Sequence, residues 1–336
     1  MDALRPRFDA VRALLDGAGM VVVTGHEAPD GDAVGAVAAL RRHLELEGVP
    51  VLALLSESLS SRYGFMEFAN RYEVYDPERH DDIIEAADAV VLCDLSSFSR
   101  LGLIQDAVEA SRAKTVCFDH HPCENDGPAD FNLLDPRATA TGVLVHDYIE
   151  HVEGEVDREI AESVFVSLAT DTGWFCYPNT DARALELGAR LAACRLDLPG
   201  MYRAIYQSYS SGMLRLLGHV ARSMNEECDG ALVWAVVGHE LRDDLNIERY
   251  DTDPILDLLR TRDQVRVVAL FSEREDGSCL VSLRSRGTPD MNLVARMFGG
   301  GGHTYSAGTM FPAERAADLR RDMLAQLRRV AAEPVT

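Results

Sequence analysis

The chain has 336 residues, 47% of them hydrophobic and 7% aromatic, which suffices for two globular domains. A net charge of −22 excludes a protein that coats long nucleic acid through many phosphate contacts. No apolar run approaches the roughly 20 residues that a membrane span needs.

In chain order, the first half alternates β-type runs with amphipathic segments. Residues 20–24, 51–56, 89–94 and 115–118 read as strands, and residues 32–47, 101–112, 139–152, 157–170 and 181–194 as helices. Strands separated by helical segments predict an α/β domain with a parallel sheet, assigned to residues 1–195. Pro199 and Gly200 open a helical connector over 196–228. A smaller mixed α/β domain follows over 229–336. Its strands are expected at 231–237, 265–273, 279–285 and 306–310, and its helices at 254–260, 291–298 and 316–330. Acids outnumber Lys and Arg by 35 to 16 in residues 1–195 but only by 20 to 17 in residues 196–336. The second part is therefore better able to grip an anion. The N-terminus MDALRPRFDA lacks the apolar core of a secretory signal, so a soluble, cytoplasmic protein with no membrane partner is expected. Seven cysteines with no Cys-x-x-Cys pair predict reduced thiols and no structural zinc.

Four segments of the first half place acids and imidazoles directly after apolar runs. Gly25-His26-Glu27-Ala28-Pro29-Asp30-Gly31-Asp32 follows the first strand, and Pro29 and Gly31 force a turn that converges His26, Asp30 and Asp32. Asp94 ends a strand, Asp119-His120-His121 ends the next, and residues 164–169 run into Asp171. A single acid at such a position is usually a cap or a turn former. Four such segments in a chain with ten histidines point to a common site instead. Open α/β sheets bind ligands at these strand ends. Carboxylates with imidazoles suit manganese, with magnesium or cobalt as alternatives, better than a thiolate metal. One shared carboxylate, assigned to Asp94, could bridge two ions roughly 3.5–4 Å apart, the spacing used for in-line phosphoryl displacement.

The segments GHEAPDGDAVG, VLCDLSSFSRLG, FDHH and ATDTG resemble the four motifs of the DHH phosphoesterase superfamily, named for the triplet found here at Asp119-His120-His121. SLRSR and GGGGHTYSAG resemble its DHH-associated C-terminal domain. The resemblance spans nearly the whole chain, and the size is similar to that of bacterial oligoribonucleases that also dephosphorylate pAp. It implies that His26, Asp30 and Asp94 hold one manganese, and that Asp32, Asp94, His120 and Asp171 hold the other. His121 would face the scissile phosphate, Asp119 would orient an imidazole, and Arg100 would assist. Arg284, Arg286, Gly300, Gly301, Gly302 and His303 would bind substrate, with a short oligonucleotide lying between the domains. Two departures, Ala36 in place of a small hydroxyl residue and Ser306-Ala307-Gly308 in place of Ala-Ala-Gly, leave these ligands intact.

The function so implied is hydrolysis of short oligoribonucleotides and of pAp, with no long duplex as partner and a homodimer left open. A cyclic-di-AMP or linear dinucleotide phosphodiesterase would use the same metals. A RecJ-type exonuclease fits the length and charge less well, a pyrophosphatase would not be expected to carry the GGGGH and SLRSR features, and an idle sensor does not fit the complete ligand set.

Overall fold

Short, mostly apolar runs at the centre and two brief edge segments build the first sheet: β1 (Val21–Gly25), β2 (Val51–Leu55), β3 (Glu73–Val74), β4 (Ala89–Cys93), β5 (Lys114–Asp119) and β6 (Phe131–Leu134). All neighbours pair in parallel, in the order β3-β2-β1-β4-β5-β6. The computed structural model describes residues 4–122, 127–247, 252–286 and 288–333. The chain divides into two units, Met1–Gln207 and Ser208–Thr336.

The helices of the first unit are α1 (Arg5–Leu15), α2 (Gly31–Leu46), α3 (Pro77–Ala86), α4 (Gln105–Ala110), α5 (Thr141–His151), α6 (Arg158–Asp171), α7 (Ala182–Ala192) and α8 (Leu198–Tyr206). Successive strand side chains point to opposite faces, so a sheet covered on both sides must be apolar at every position. Val21, Val23, Val91 and Phe118 pack with residues of α1, α2, α5 and α6, while Val22, Val90, Leu92 and Cys117 pack with Ile84 of α3 and Val108 of α4. The strand order reverses between β1 and β4, which opens a crevice at their carboxyl ends.

One expectation needs correction. The helix expected over 101–112 shrinks to a short 3-10 turn and α4, because Gly102 adopts φ +60° and breaks the helical path. The short edge strands β3 and β6 were not anticipated, since two to four residues carry no readable period. Helix α1 also went unread, although Phe8, Val11 and Leu15 form a buried stripe.

Helices α2 and α6 approach closely through glycine. A methyl group on Gly35 would lie 2.8 Å from Ser167 Cβ, and one on Gly31 would lie 2.7 Å from Thr170 Cβ. This proximity brings Asp32 and Asp171, at facing ends of the two helices, into one region. Gly35→Ala is expected to cost about 1–3 kcal/mol through overpacking, read as a lower denaturant midpoint. An unchanged midpoint would show that the helices can part freely.

The second unit contains α9 (Ser211–Ser223), β7 (Asn225–Glu227), β8 (Leu232–Val237), α10 (His239–Asp244), α11 (Asp253–Arg260), β9 (Val267–Glu273), β10 (Cys279–Ser285), α12 (Met291–Arg296), β11 (Gly301–Gly302), β12 (Ser306–Phe311) and α13 (Ala316–Ala332). Its sheet runs β11-β12-β10-β9-β8-β7, parallel between β8 and β9 and antiparallel elsewhere. One face packs on α12 and α13, the other on α9 and α11. The two helices within residues 196–228 are each buried in one unit: Met201 and Ile205 of α8 in the first, Met213, Leu216 and Val220 of α9 in the second. No helix among the described residues is long and apolar enough to cross a membrane.

Candidate metal centre

Helix and strand ends in the first unit converge on one cluster, buried at His26, Asp32, Asp94, Asp119 and His120 and open to solvent at Asp30, whose side chain is 60% exposed. Asp30 is the N-cap of α2, its Oδ1 accepting from the backbone N–H of Asp32 at 2.9 Å and Ala33 at 3.1 Å. His26 leaves β1 with Nδ1 2.6 Å from the Glu27 carbonyl. That contact places the proton on Nδ1 and turns Nε2 toward Asp30, at 3.8 Å, and Asp94, at 3.5 Å. His120 is held in the same way. Its Nδ1 lies 3.1 Å from the Ala138 carbonyl, and its Nε2 lies 3.3 Å from Asp32 and 3.8 Å from Asp94.

Two groups of potential ligand atoms result, His26 with Asp30 and Asp94, and Asp32 with His120 and Asp171. Asp94 approaches an imidazole of each. It follows β4 in the left-handed region at φ +63°, which an Asp side chain tolerates better than most, and Thr141 Oγ1 donates to its Oδ1 at 2.9 Å. Asp94 and Asp119 also lie with His121, whose Nδ1 is 2.7 Å from Asp119 Oδ1. The other Asp119 oxygen is buried with no hydrogen-bond partner among the described residues.

Asp32 reaches across to a second helix. Helix α5 has Ala140 at its N-cap, where no side chain can cap it. Asp32 supplies the missing acceptor, taking the N–H of Thr141 at 2.8 Å and of Gly142 at 3.0 Å, and the hydroxyl of Ser167 at 2.5 Å. Asp171, the last residue of α6, accepts from Asn179 Nδ2 at 3.0 Å. Thr141, Gly142, Ser167 and Asn179 were missed by sequence reasoning. The one signal was the uncapped start of α5.

The electrostatics call for cations. Burial opposes charging His26, yet its bonds to Asp30 and Asp94 outweigh this and raise its pKa to about 10. Burial likewise opposes His120, and Asp171, Asp32 and Asp94 lift it to about 10. Burial, then repulsion from Asp94, pushes Asp32 well above the usual carboxylate range, and burial takes Asp171 to about 6. Asp94 alone of these three is held low: burial works against its charge, but His26 and the other imidazoles prevail. Imidazoles here retain protons because carboxylates surround them. Carboxylate and imidazole donors, an orphaned Asp119 oxygen and this excess of negative charge fit hard or borderline divalent ions.

Arg100 sits on the 3-10 turn after β4, its carbonyl accepting the Glu27 N–H at 2.7 Å, and its charge acts against protonation of His26. A further acid and imidazole group on α5, His146, Asp147 and Glu150, has Arg183 bonded to Asp147 and Arg190 to Glu150.

The candidate substrate residues lie in the second unit. Arg284 pairs with Asp253 at 2.7 Å. Arg286 donates to the carbonyls of Arg260 and Arg262 at 3.0 Å, capping the end of α11. Gly301 and Gly302 pair with β12, and a methyl group on Gly300 would meet Thr309 Cβ at 2.6 Å, so close strand packing alone requires glycine there. His303 stacks on Tyr305, with centroids 5.7 Å apart.

A family model described as DHH family, N-terminal domain, matches residues 20–168, and a DHHA1 domain model matches residues 229–330. The chain is 29% identical over 290 residues to a bifunctional oligoribonuclease and PAP phosphatase of Thermus thermophilus, covering 86% of this chain and 83% of that protein. It is 24% identical over 295 residues to a Bacillus subtilis protein of the same description, covering 86% and 88%. The crystal structure of an exopolyphosphatase-related protein from Bacteroides fragilis shares the fold, with a TM-score of 0.86, 24% identity and 98% of each chain covered.

Proposed function

We propose that the chain, which carries a DHH N-terminal domain at residues 20–168 and a DHHA1 domain at residues 229–330, is a hydrolase that cleaves short oligoribonucleotides and removes phosphate from pAp. The observation that carries this reading is the position of Asp94, within 3.8 Å of imidazole nitrogens belonging to two ligand groups. The activities of the Thermus and Bacillus relatives support the substrate class.

His26, Asp30 and Asp94 would hold one divalent ion, and Asp32, Asp94, His120 and Asp171 a second, with manganese the first choice. When bound, such ions supply Lewis acidity toward a phosphoryl oxygen and acidify the attacking water. The remaining work falls to the protein. Asp119 accepts from the His121 backbone N–H at 3.1 Å and lies 2.7 Å from its Nδ1, which fixes the ring. His121 Nε2 is then the proton donor toward the phosphate. Arg100 adds positive charge beside His26.

Arg284 and His303 are the proposed substrate contacts of the second unit, with Arg286 and Gly300 to Gly302 shaping the surface that carries them. A phosphate must displace Asp253 from Arg284. Arg284→Ala is therefore expected to raise KM about tenfold or more with little change in kcat, on the scale of one lost charge-assisted bond. A pure kcat effect would contradict this role.

The proposal is tested by assaying the full chain in Mn2+ on linear diribonucleotides, longer RNA, pAp and cyclic-di-AMP. Turnover of the first and third supports it. Turnover of cyclic-di-AMP alone would replace it with a cyclic dinucleotide phosphodiesterase.

A further inference from the structure

We propose that Asn179 is a positioning residue that locks the Asp32, His120 and Asp171 group. The inference rests on the metal reading above. Its single side-chain amide binds one member of that group directly and the backbone beside a second. Nδ2 lies 3.0 Å from Asp171 Oδ2 and 3.1 Å from the Asp171 carbonyl, which fixes the carboxylate at the end of α6. The same nitrogen lies 3.3 Å from the Thr139 carbonyl. Thr139 adjoins Ala138, whose carbonyl faces His120 Nδ1. One amide thus ties the carboxylate to the backbone that aims the imidazole. Three acceptors around one atom require that atom to be the nitrogen, which settles the amide orientation.

The chain bends sharply to bring Asn179 there. Gly173, Trp174 and Phe175 adopt φ of +54°, +57° and +66° in succession, a left-handed turn that bulky aromatic residues rarely enter. Such strain persists only where the surroundings over-determine it. Here Trp174 packs on Phe165 at 5.6 Å and on Tyr206 at 5.9 Å, and Phe175 packs on Phe165 at 6.0 Å. The N–H groups of Cys176 and Tyr177 both return to the Thr172 carbonyl at 2.9 Å. The turn carries residues 176–179 back over the end of α6, where Asn179 meets Asp171. Among the described residues Asn179 donates to Asp171 and Thr139 and to none of His26, Asp30 and Asp94, so the effect is expected at one of the two ion positions.

Calorimetric titration of the full chain with Mn2+ decides the matter. The wild-type chain is expected to take up two ions. Asn179→Leu keeps the side-chain volume and removes the donors. It should weaken one site by about 10–100-fold, the range found when partners of metal ligands are removed, and leave the other unchanged. Its kcat should fall at limiting Mn2+ and recover at high Mn2+. Asn179→Ala serves if circular dichroism shows the leucine variant unfolded. Wild-type affinity at both sites, or equal loss at both, would overturn the inference. A wild-type chain that takes up no Mn2+ would overturn the metal reading itself.

Discussion

Asp94→Asn is expected to lower kcat/KM by on the order of 10³-fold, about 4 kcal/mol of transition-state stabilisation, while the fold survives. Asparagine preserves the shape and, like aspartate, tolerates the left-handed backbone at φ +63°, which alanine would strain. It can still accept the Thr141 hydroxyl bond. What disappears is a charge that faces His26 at 3.5 Å and His120 at 3.8 Å. Both ligand groups lose their common anion at once, so neither can compensate for the other. Circular dichroism and a melting curve establish that the variant is folded, and initial rates on a diribonucleotide give the effect. Near-normal turnover with the wild-type metal content would remove Asp94 from the centre of the site.

Divalent ions should also stabilise the first unit, and more strongly as pH rises. Several carboxylates buried in one place repel each other, and an ion that binds only the folded state adds about 2.7 kcal/mol at a hundredfold excess over its Kd. For a unit of this size that is an upward shift in Tm of about 5–10 °C, reversed by a chelator. The sign of the pH dependence follows from the imidazoles. His26 and His120, raised to about 10 in the metal-free protein, hold protons at neutral pH that an ion must displace. Uptake therefore releases protons, and apparent affinity climbs between pH 6.5 and 8.5. Calorimetry in buffers of different ionisation enthalpy measures that release. Affinity independent of pH over this range would mean that the imidazoles are not ligands, and absence of any stabilisation would argue against the centre altogether.

Much of the molecule was legible in the sequence, and the limits of that legibility have a common origin. Strand β10 falls on the expected residues Cys279–Ser285, and β1, β2, β4 and β5 within one residue of theirs, because an apolar run long enough to cross a two-sided sheet leaves a clear pattern. Strands β3 and β6 lie at the sheet edges and are too short to leave one. The SLRSR and glycine segments stand out in the sequence and are read there as substrate-binding. Part of what makes them stand out is structural, since Arg286 caps α11 and the glycines admit β12 at close range.

The sequence by itself determined which donor groups are available: His26, Asp30, Asp94 and His120 stand at or beside the ends of predictable elements, and carboxylates and imidazoles are what they would offer an ion. Only the tertiary structure decided how those groups are aimed. Asp32 caps a helix 109 positions away, and Asn179 joins Asp171 to the loop behind His120. Local pattern follows from backbone sterics and the period of burial, which act over a few residues. Hydrogen bonds between distant segments follow from how closely α2, α5 and α6 pack, and no window of sequence contains that distance.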